Sequence, residues 1–246
     1  MGNSKLVDYT KKSPNHSGPR THSIDRITPH CIVGQWTVEK TGDYFSSVKN
    51  ASCNYCIGTD GKVGLIVDEA NRSWCSSDTP NDQRAVTIEC ASDAKHPYAF
   101  NDAVYKKLIK LCIDICKRNG KSKLIWISDK NKALSYKQKS NEMLLTVHRW
   151  FKAKACPGDW LFNRLGNLAD EVNKELSKKE DDIIFKPYVV RIITDNLNLR
   201  EGPGAKYKIL GKITDKGSYT IIDEKNGWGL LKSKAGWIKL SHAEKV

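Results

Sequence analysis

The stretch LLTVHRWFKAKACPGDW, residues 144–160, places two metal-binding residue types close together. The apolar residues before His148 predict a strand that ends at this histidine, and Cys156 follows in an Ala-Cys-Pro-Gly turn. Imidazole nitrogen and thiolate sulfur both bind zinc, and a catalytic zinc site uses three protein ligands and one open position. Lys152 and Lys154 lie between them, where positive charge is expected to lower the pKa of the thiol. The alternative interpretation is a buried core histidine with an inert cysteine.

Length, charge and apolar content limit the class of protein. The chain has 246 residues, of which 39% are hydrophobic, and this suits one main domain with a small second one. A net charge of +13 predicts a polyanionic partner, either nucleic acid or an anionic polymer such as a bacterial wall. The first residues contain no apolar segment of a signal peptide, and no apolar run predicts a membrane span. The sequence therefore predicts synthesis in a cytoplasm and, for any extracellular role, a separate route of release.

Eight cysteines without a signal peptide predict reduced thiols rather than disulfide bonds. Cys53 and Cys56 have the spacing of a redox motif, but they lie in a strand-like run. Residues three apart on a strand point to opposite faces, so this pair is not expected to form a disulfide or share a metal. Cys112 and Cys116 lie on the apolar face of a predicted helix and are expected in the core.

The hydrophobic pattern alternates between strands and helices up to residue 176, which predicts an α/β layer fold. A polar, irregular arm is expected over residues 1–26, and a loop around Trp74 over residues 71–83. Strands are predicted at residues 27–34, 52–57, 63–68, 85–90, 124–127 and 144–148, with a hairpin around Asp60-Gly61, and helices at residues 101–119 and 160–176.

Composition changes after residue 176. The charged run over residues 177–187 has no periodicity and predicts an interdomain linker. From residue 188 to 246, short β-rich runs are broken by glycine, which predicts a small all-β barrel. Residues 188–246 contain 11 Lys or Arg and 6 Asp or Glu. Residues 1–187 contain 30 Lys or Arg and 22 Asp or Glu, so both parts carry excess positive charge.

Three motifs together resemble the zinc-dependent N-acetylmuramoyl-L-alanine amidases of the type 2 fold, which is shared with peptidoglycan recognition proteins and phage T7 lysozyme. They are Thr-Pro-His30-Cys, the strand that ends at Glu89, and His148 followed by Lys-Ala-Cys156-Pro-Gly. The resemblance implies a mixed β-sheet flanked by helices and a catalytic domain over residues 1–176, including the arm. It also implies one catalytic zinc ion, with His30, His148 and Cys156 as its ligands. The implied reaction is hydrolysis of the amide between N-acetylmuramic acid and L-alanine.

The same resemblance implies roles for other residues. Glu89 matches the general base of many of these amidases, and Lys154 matches a lysine that polarises the substrate carbonyl. The alternative for Glu89 is a strand-end carboxylate paired with a lysine. A family tyrosine in the hairpin falls at Cys53, with Tyr55 two residues later and expected on the same side. The candidate substrate-binding residues are Asn54, Tyr55, Trp74, Asn81 and Trp150.

The C-terminal part resembles a bacterial SH3 domain. The similar residues are LNLREGPG at 197–204, Gly-Trp228-Gly and Gly-Trp237. An amidase joined to such a wall-binding module, here residues 188–246, is similar to phage endolysins of Gram-positive hosts such as clostridia, and a bacterial autolysin is the alternative. Tyr207 and Tyr219 are the candidate wall-binding aromatics. The expected partners are peptidoglycan and anionic wall polymers rather than nucleic acid, and a monomer is expected.

Three other functions are compatible with parts of this pattern. A peptidoglycan-binding protein that does not cleave the wall would not need Cys156. In the fold family that the chain resembles, members that do not cleave typically lack this cysteine. A zinc peptidase that cuts within the stem peptide would use the same chemistry in a different groove. A nucleic-acid-binding barrel would explain the charge but would give the two histidines and the cysteine no role. The sequence therefore favours an amidase that lyses the bacterial cell wall.

Overall fold

The computed structural model describes residues 2–47, 50–178 and 185–246 and divides into two compact units. The first unit comprises Met1–Lys178 and the second Lys179–Val246. Residues 179–184 of the predicted linker lie outside the described residues. Within the described ranges, no helix combines the length and the apolar character that a bilayer crossing requires.

A seven-stranded mixed sheet forms the centre of the first unit, which confirms the predicted α/β fold. The strands of this unit are β1 (Tyr9–Thr10), β2 (His16–Pro19), β3 (Arg26–Cys31), β4 (Tyr55–Ile57), β5 (Val63–Leu65), β6 (Asn71–Ser73), β7 (Ala85–Cys90), β8 (Lys123–Ile125) and β9 (Glu142–Leu145). The order in the large sheet is β1-β5-β4-β7-β3-β9-β8, and β2 pairs separately with β6. The predicted hairpin is the antiparallel pair β4–β5, and the other neighbours in the large sheet are parallel.

Helices cover both faces of this sheet. They are α1 (Val38–Ser46), α2 (Thr79–Arg84), α3 (Asp102–Arg118), α4 (Lys130–Ser135), α5 (Asp159–Phe162) and α6 (Leu165–Leu176). The apolar face of α3 packs with α6 in the larger core, which contains Cys112 and Cys116 as predicted. On the opposite face, Val38 and Phe45 of α1 pack in a smaller core. Asn101 begins α3 by accepting a hydrogen bond from the backbone N–H of Val104 at 3.0 Å, as an N-cap residue does.

Three local predictions for the first unit are wrong. The expected loop over residues 71–83 contains β6 and all but the last residue of α2, because the Asp78 side chain caps this helix and Pro80 lies in its first turn. The arm is not irregular throughout, since β1 pairs with β5 and β2 with β6. The helix expected over residues 160–176 is two helices, because the helical pattern is interrupted at Asn163 and Arg164, where Arg164 N donates to the Leu161 carbonyl at 2.8 Å in a tighter turn.

The strand β4 begins three residues later than predicted, and this changes which faces its neighbours occupy. The carbonyl oxygen of Asn54 accepts hydrogen bonds from the backbone N–H groups of both residues 66 and 67, at 2.9 and 3.3 Å. This irregularity resembles a β-bulge and interrupts the alternation of side chains. Cys53 and Cys56 therefore share the smaller core next to α1, while Tyr55 lies in the larger core. The expected opposite placement of the two cysteines, and the shared side of Tyr55 and Cys53, are both wrong.

The second unit is all-β, as predicted. Its strands are β10 (Tyr188–Ile192), β11 (Leu197–Arg200), β12 (Ile209–Ile213), β13 (Ser218–Lys225), β14 (Trp228–Leu231), β15 (Trp237–Lys239) and β16 (Ala243–Lys245). They form one antiparallel sheet in the order β12-β11-β15-β14-β13-β10-β16. Strands from across this sheet contribute to a single apolar core, so the sheet wraps around it. The last strand was not predicted, because its Ala-Glu-Lys sequence has no apolar pattern.

Candidate active site

Parallel pairing of β3 and β7 brings His30 and Glu89 to the same place. The two residues are direct partners in the register of these strands, near the carboxyl end of each. Because side chains alternate along a strand, both point to the face that carries α1, while Ile27 and Ile88 point into the larger core. His30 Nδ1 lies 3.9 Å from Glu89 Oε1. The sheet therefore holds an imidazole and a carboxylate side by side.

His148 reaches this place from the next strand of the sheet. It lies in a 3₁₀ turn, His148–Trp150, that follows β9, and β9 is the parallel neighbour of β3. The ring centroids of His148 and His30 are 5.0 Å apart in an edge-to-face arrangement. The strand thus ends before His148, slightly earlier than predicted, but it still brings this residue to the site.

A tight turn returns Cys156 to the two histidines. The Ala155 carbonyl accepts a hydrogen bond from Gly158 N at 2.8 Å, and Arg149 N donates to the carbonyl of Cys156 at 3.1 Å. Gly158 has a φ of 85°, and a Cβ there would lie 2.8 Å from the carbonyl oxygen of residue 97, so the turn requires glycine. Cys156 Sγ then lies 3.3 Å from His30 Nδ1.

The side chains of His30, His148 and Cys156 fit a metal ion. Their ligand atoms lie within 4.8 Å of one another. His30 Nε2 and His148 Nε2 are buried and have no hydrogen-bond partner among the described residues. Two imidazoles and one thiol are a donor set that zinc accepts. A second set, His30 with Cys75 and Glu89, meets the same distance criterion and shares His30 with the first.

Burial controls the protonation of the three ligands. Burial lowers the pKa of both imidazoles, and the charge of Lys154 lowers that of His148 further, which keeps both rings neutral and able to bind a cation. Burial also raises the pKa of the Cys156 thiol, and a hydrogen bond with the Cys31 thiol raises it further. The expectation that Lys152 and Lys154 lower the pKa of this thiol is therefore wrong, because both lysines are exposed and the sulfur is not. A cation must displace the thiol proton when it binds.

Glu89 is partly buried beside the ligands, with 14% of its side chain exposed. Burial raises its pKa to about 7, and a hydrogen bond from Cys75 Sγ to Oε1, at 3.7 Å, acts in the opposite direction. Its Oε2 has no partner within the described residues. A bound cation would lower this pKa, because opposite charge favours the carboxylate. The alternative of a lysine-paired carboxylate is not observed in the part of the chain that the structure describes.

A cavity of about 430 Å³ opens beside these residues. His148, Cys156, Glu89, Lys154 and Trp74 line it, so the structure brings these five sequence-derived candidates to one place. Other lining residues were not singled out from the sequence: Cys31, Trp36, Tyr44, Cys75 and Tyr98. The helix α1 carries Tyr44, and the capping residue Thr37 is a local signal for the start of this helix in the sequence.

Asn54 and Tyr55 are placed away from the cavity. Both are fully buried. The Asn54 amide donates to the carbonyl groups of Val67, Asp68 and Asn71, and its Oδ1 accepts from the backbone N–H of Thr87 at 3.1 Å. The Tyr55 hydroxyl donates to Glu69 Oε1 at 2.6 Å. These two side chains stabilise the junction of strands and do not line the cavity.

Asn81 and Trp150 are also placed away from the cavity. Asn81 is fully buried, and its Nδ2 donates to Thr28 Oγ1 at 3.1 Å while its Oδ1 accepts from Thr146 Oγ1 at 3.0 Å. Trp150 stacks on Trp126 with a centroid distance of 5.3 Å. Tertiary partners engage both side chains elsewhere, so neither lines the cavity where the sequence analysis expected substrate binding.

We expect Asn54→Ala to reduce stability rather than substrate affinity. The change leaves several buried backbone groups without a partner, which should cost about 3 kcal/mol of unfolding free energy. Urea unfolding measures this loss, and KM of the folded variant should match that of the parent. Asn163, an exposed residue, provides the matched Asn→Ala control and should leave stability unchanged. A raised KM with unchanged stability would instead place Asn54 in the substrate site.

Comparison with known protein families decides the identity of the first unit. The model of the N-acetylmuramoyl-L-alanine amidase family matches residues 20–159, more than half of the chain. The chain belongs to this family. It is therefore an enzyme that hydrolyses the amide between N-acetylmuramic acid and L-alanine in peptidoglycan, as the sequence predicted. The bacterial SH3 domain model matches residues 195–243, so the amidase carries this module in its second unit.

The solved structures to which the chain is similar are distant in sequence. A Staphylococcus aureus hydrolase, AmiA, determined with its ligand, has a TM-score of 0.50 and 13% identity, over 71% of this chain and 91% of that one. A mutant endolysin from Bacillus subtilis has a TM-score of 0.48 and 14% identity, over 68% of this chain and 99% of that one. The Drosophila peptidoglycan recognition protein SD has a TM-score of 0.46 and 17% identity, over 65% of this chain and 93% of that one. Comparison with curated proteins gave no match.

Proposed function

We propose that this amidase works with one zinc ion bound by His30, His148 and Cys156. The observation that carries the proposal is the convergence of their ligand atoms within 4.8 Å beside the cavity. Imidazole and thiolate are ligands that zinc accepts, and three protein ligands leave a coordination position open. A zinc ion bound there would supply an activated water and polarise the scissile carbonyl.

Glu89 is the proposed general base. Its position beside His30 puts a carboxylate next to the metal ligands, and the Cys75 thiol donates to Oε1 while Oε2 has no partner among the residues that the structure describes. Oε2 takes the proton from the attacking water, and the carboxyl group then returns it to the leaving amine of L-alanine. Lys154, exposed at the cavity, stabilises the negative charge that develops on the carbonyl oxygen.

We further propose that the chain is a phage endolysin that acts as a monomer on the wall of a Gram-positive host, which it reaches by a separate route of release. The pairing of an amidase with a bacterial SH3 domain supports this setting. Excess lysine and arginine in both parts of the chain favour contact with anionic wall polymers as well as with peptidoglycan.

Chelation should abolish hydrolysis of purified peptidoglycan, and added zinc should restore it, because the proposed ligands cannot activate water without the metal. The measurement is the identity of the new ends after digestion. New amino termini of L-alanine without new reducing sugar ends are expected from the untreated enzyme. Magnesium, a harder cation that prefers oxygen ligands, serves as the control for the zinc addition and should restore nothing.

Other products would identify other functions. New amino termini from residues within the stem peptide would indicate a zinc peptidase. New reducing ends would indicate a glycosidase and contradict the zinc mechanism. A protein that remains on the wall and produces no new ends would be a binding protein.

A further inference from the structure

The first unit contains a second cavity, of about 400 Å³, which shares no lining residue with the cavity beside the metal ligands. Three charged residues line it, Arg26, Asp78 and Lys130, together with Pro80, Trp150 and Phe151. This cavity is here called the Arg26 pocket. We propose that the Arg26 pocket binds a small organic anion, in which a carboxylate or phosphate group is joined to an apolar body. The proposal depends neither on the metal nor on the hydrolysis of peptidoglycan.

The Arg26 pocket lies on the same face of the sheet as the metal ligands, but towards the other end of β3. This strand carries Arg26 at its amino end and His30 near its carboxyl end. Because side chains alternate along a strand, Arg26, Thr28 and His30 share one face. Four residues of a strand span about 13 Å. An anion at Arg26 is therefore well removed from the reacting amide.

The guanidinium of Arg26 offers a free edge to a ligand. The residue is buried, with 8% of its surface exposed. Nη1 donates to Asn81 Oδ1 at 3.1 Å, which is the one hydrogen bond of this side chain to the described residues. Nε is buried and has no partner among them. Nε and Nη2 share one edge of the group, and two parallel N–H donors match two oxygens of a carboxylate or a phosphate.

Asn81 holds this guanidinium in a fixed orientation. Asn81 is fully buried, and its Oδ1 accepts a hydrogen bond from Thr146 Oγ1 at 3.0 Å in addition to that from Arg26. Its Nδ2 donates to Thr28 Oγ1 at 3.1 Å. These bonds occupy both lone pairs of the amide oxygen and prevent the amide from turning. The edge of Arg26 is thus preorganised, which reduces the entropy that a ligand loses on binding.

The charge of Arg26 has no carboxylate partner among the described residues. Asp25 instead accepts from Arg84 Nε at 2.8 Å, and Asp78 Oδ1 accepts from the backbone N–H of Asn81 at 2.7 Å as the cap of α2. Burial and the charge of Arg84 lower the pKa of Arg26, but arginine stays protonated at neutral pH. A buried charge is costly without an opposite charge nearby, so an anion gains more here than at an exposed arginine.

The remaining lining favours an organic anion over an inorganic one. Lys130 is exposed and adds a second positive charge, against the single negative charge of Asp78. Pro80, Trp150 and Phe151 supply apolar surface. A ligand with an apolar body removes this surface from water, whereas a bare phosphate leaves it uncovered. A volume of about 400 Å³ also lies within the range of small-molecule sites, about 300–1,000 Å³.

The test follows the Nε–H resonance of Arg26 in NMR spectra of the full chain. Arg26→Lys assigns this resonance by its disappearance. Phenyl phosphate and benzoate are the two probes, and benzyl alcohol is the neutral control of similar size. At least one of the anions should shift the resonance to saturation, while benzyl alcohol should leave it in place. The anion that binds more tightly identifies the charged group of the ligand as phosphate or carboxylate.

Two matched lysine variants test the charge of the pocket without altering the buried arginine. Lys130→Gln should weaken binding of the anion about threefold, because an exposed lysine makes only a weak ionic contact. Lys132→Gln removes an exposed lysine of the same helix, α4, that does not line the pocket. This control should bind the anion like the parent.

Three results would overturn the proposal. They are an Arg26 resonance that neither anion moves, an equal shift with benzyl alcohol, and the same affinity for Lys130→Gln as for Lys132→Gln. The first would show that the guanidinium edge is not available, the second that the cavity does not recognise charge, and the third that the anion binds elsewhere. The titration measures binding and not hydrolysis, so a failure of the proposed zinc chemistry would leave its outcome unchanged.

Discussion

Cys156→Ser should abolish wall hydrolysis while the protein still binds the wall. Cys156 Sγ lies 3.3 Å from His30 Nδ1, within the group of ligand atoms that could hold a metal. Serine keeps the size of the side chain but offers a hydroxyl, which is a far poorer zinc ligand than a thiolate. The rate should fall at least about 10³-fold, because a catalytic metal supplies several kcal/mol of transition-state stabilisation.

Three measurements on the same samples separate this explanation from misfolding. They are the release of L-alanine amino termini, bound zinc per chain, and sedimentation of the protein with wall fragments. The first two should fall together, while sedimentation stays at the level of the parent. Cys116→Ala, on the buried face of α3, is the control and should keep its zinc and its activity with only a modest loss of stability. A Cys156→Ser variant with full zinc content and full activity would remove Cys156 from the metal site.

The strands and the main helix of the first unit follow from local sequence. Alternating and continuous apolar runs predict β3 and β7, and the apolar face with its Asn101 cap predicts α3. Local patterns do not reveal which strands become neighbours. His30 and Cys156 are 126 residues apart, and their meeting was expected only from the family resemblance. The parallel register of β3 and β7 supplies the physical reason for the position of Glu89 beside His30.

The substrate-binding candidates show where sequence reasoning fails. Asn54 and Asn81 are polar residues near motif residues, which made them reasonable candidates. Their orientation depends on partners far away in the chain, including Thr87 for Asn54 and Thr146 for Asn81. A buried amide must satisfy its hydrogen bonds, so those distant partners determine where it points. Such partners become visible only when the strands are assembled.

The cavity wall was missed for a related reason. Trp36 and Tyr44 belong to α1 and the turn before it, a segment with few apolar residues that drew no prediction. Thr37 caps this helix by accepting a hydrogen bond from Lys40 N at 3.2 Å. This cap is a local signal for the helix. The contribution of α1 to the cavity is a tertiary property, because it depends on how α1 packs against the sheet.

Glu89→Gln should lower the rate of hydrolysis about 10²–10⁴-fold, the usual contribution of a general base. Glutamine has the shape of glutamate but does not accept a proton at neutral pH. The hydrogen bond from Cys75 to Oε1 can be retained by the amide oxygen, so the side chain should keep its place. Bound zinc and KM should stay near the values of the parent, because Glu89 is not one of the three proposed ligands.

The zinc content of Glu89→Gln decides between two roles for the carboxylate. Glu89 also belongs to the second group of potential ligands, with His30 and Cys75. If the carboxylate binds the metal, the variant should lose zinc together with activity, and Cys75→Ser should lose zinc as well. If Glu89 is the base, both variants should retain zinc. Cys75→Ser should then keep most of its activity, because its hydroxyl still donates to Oε1. A Glu89→Gln variant with zinc and undiminished hydrolysis would exclude both roles and leave Lys154 as the remaining proton-bearing side chain among the proposed catalytic residues.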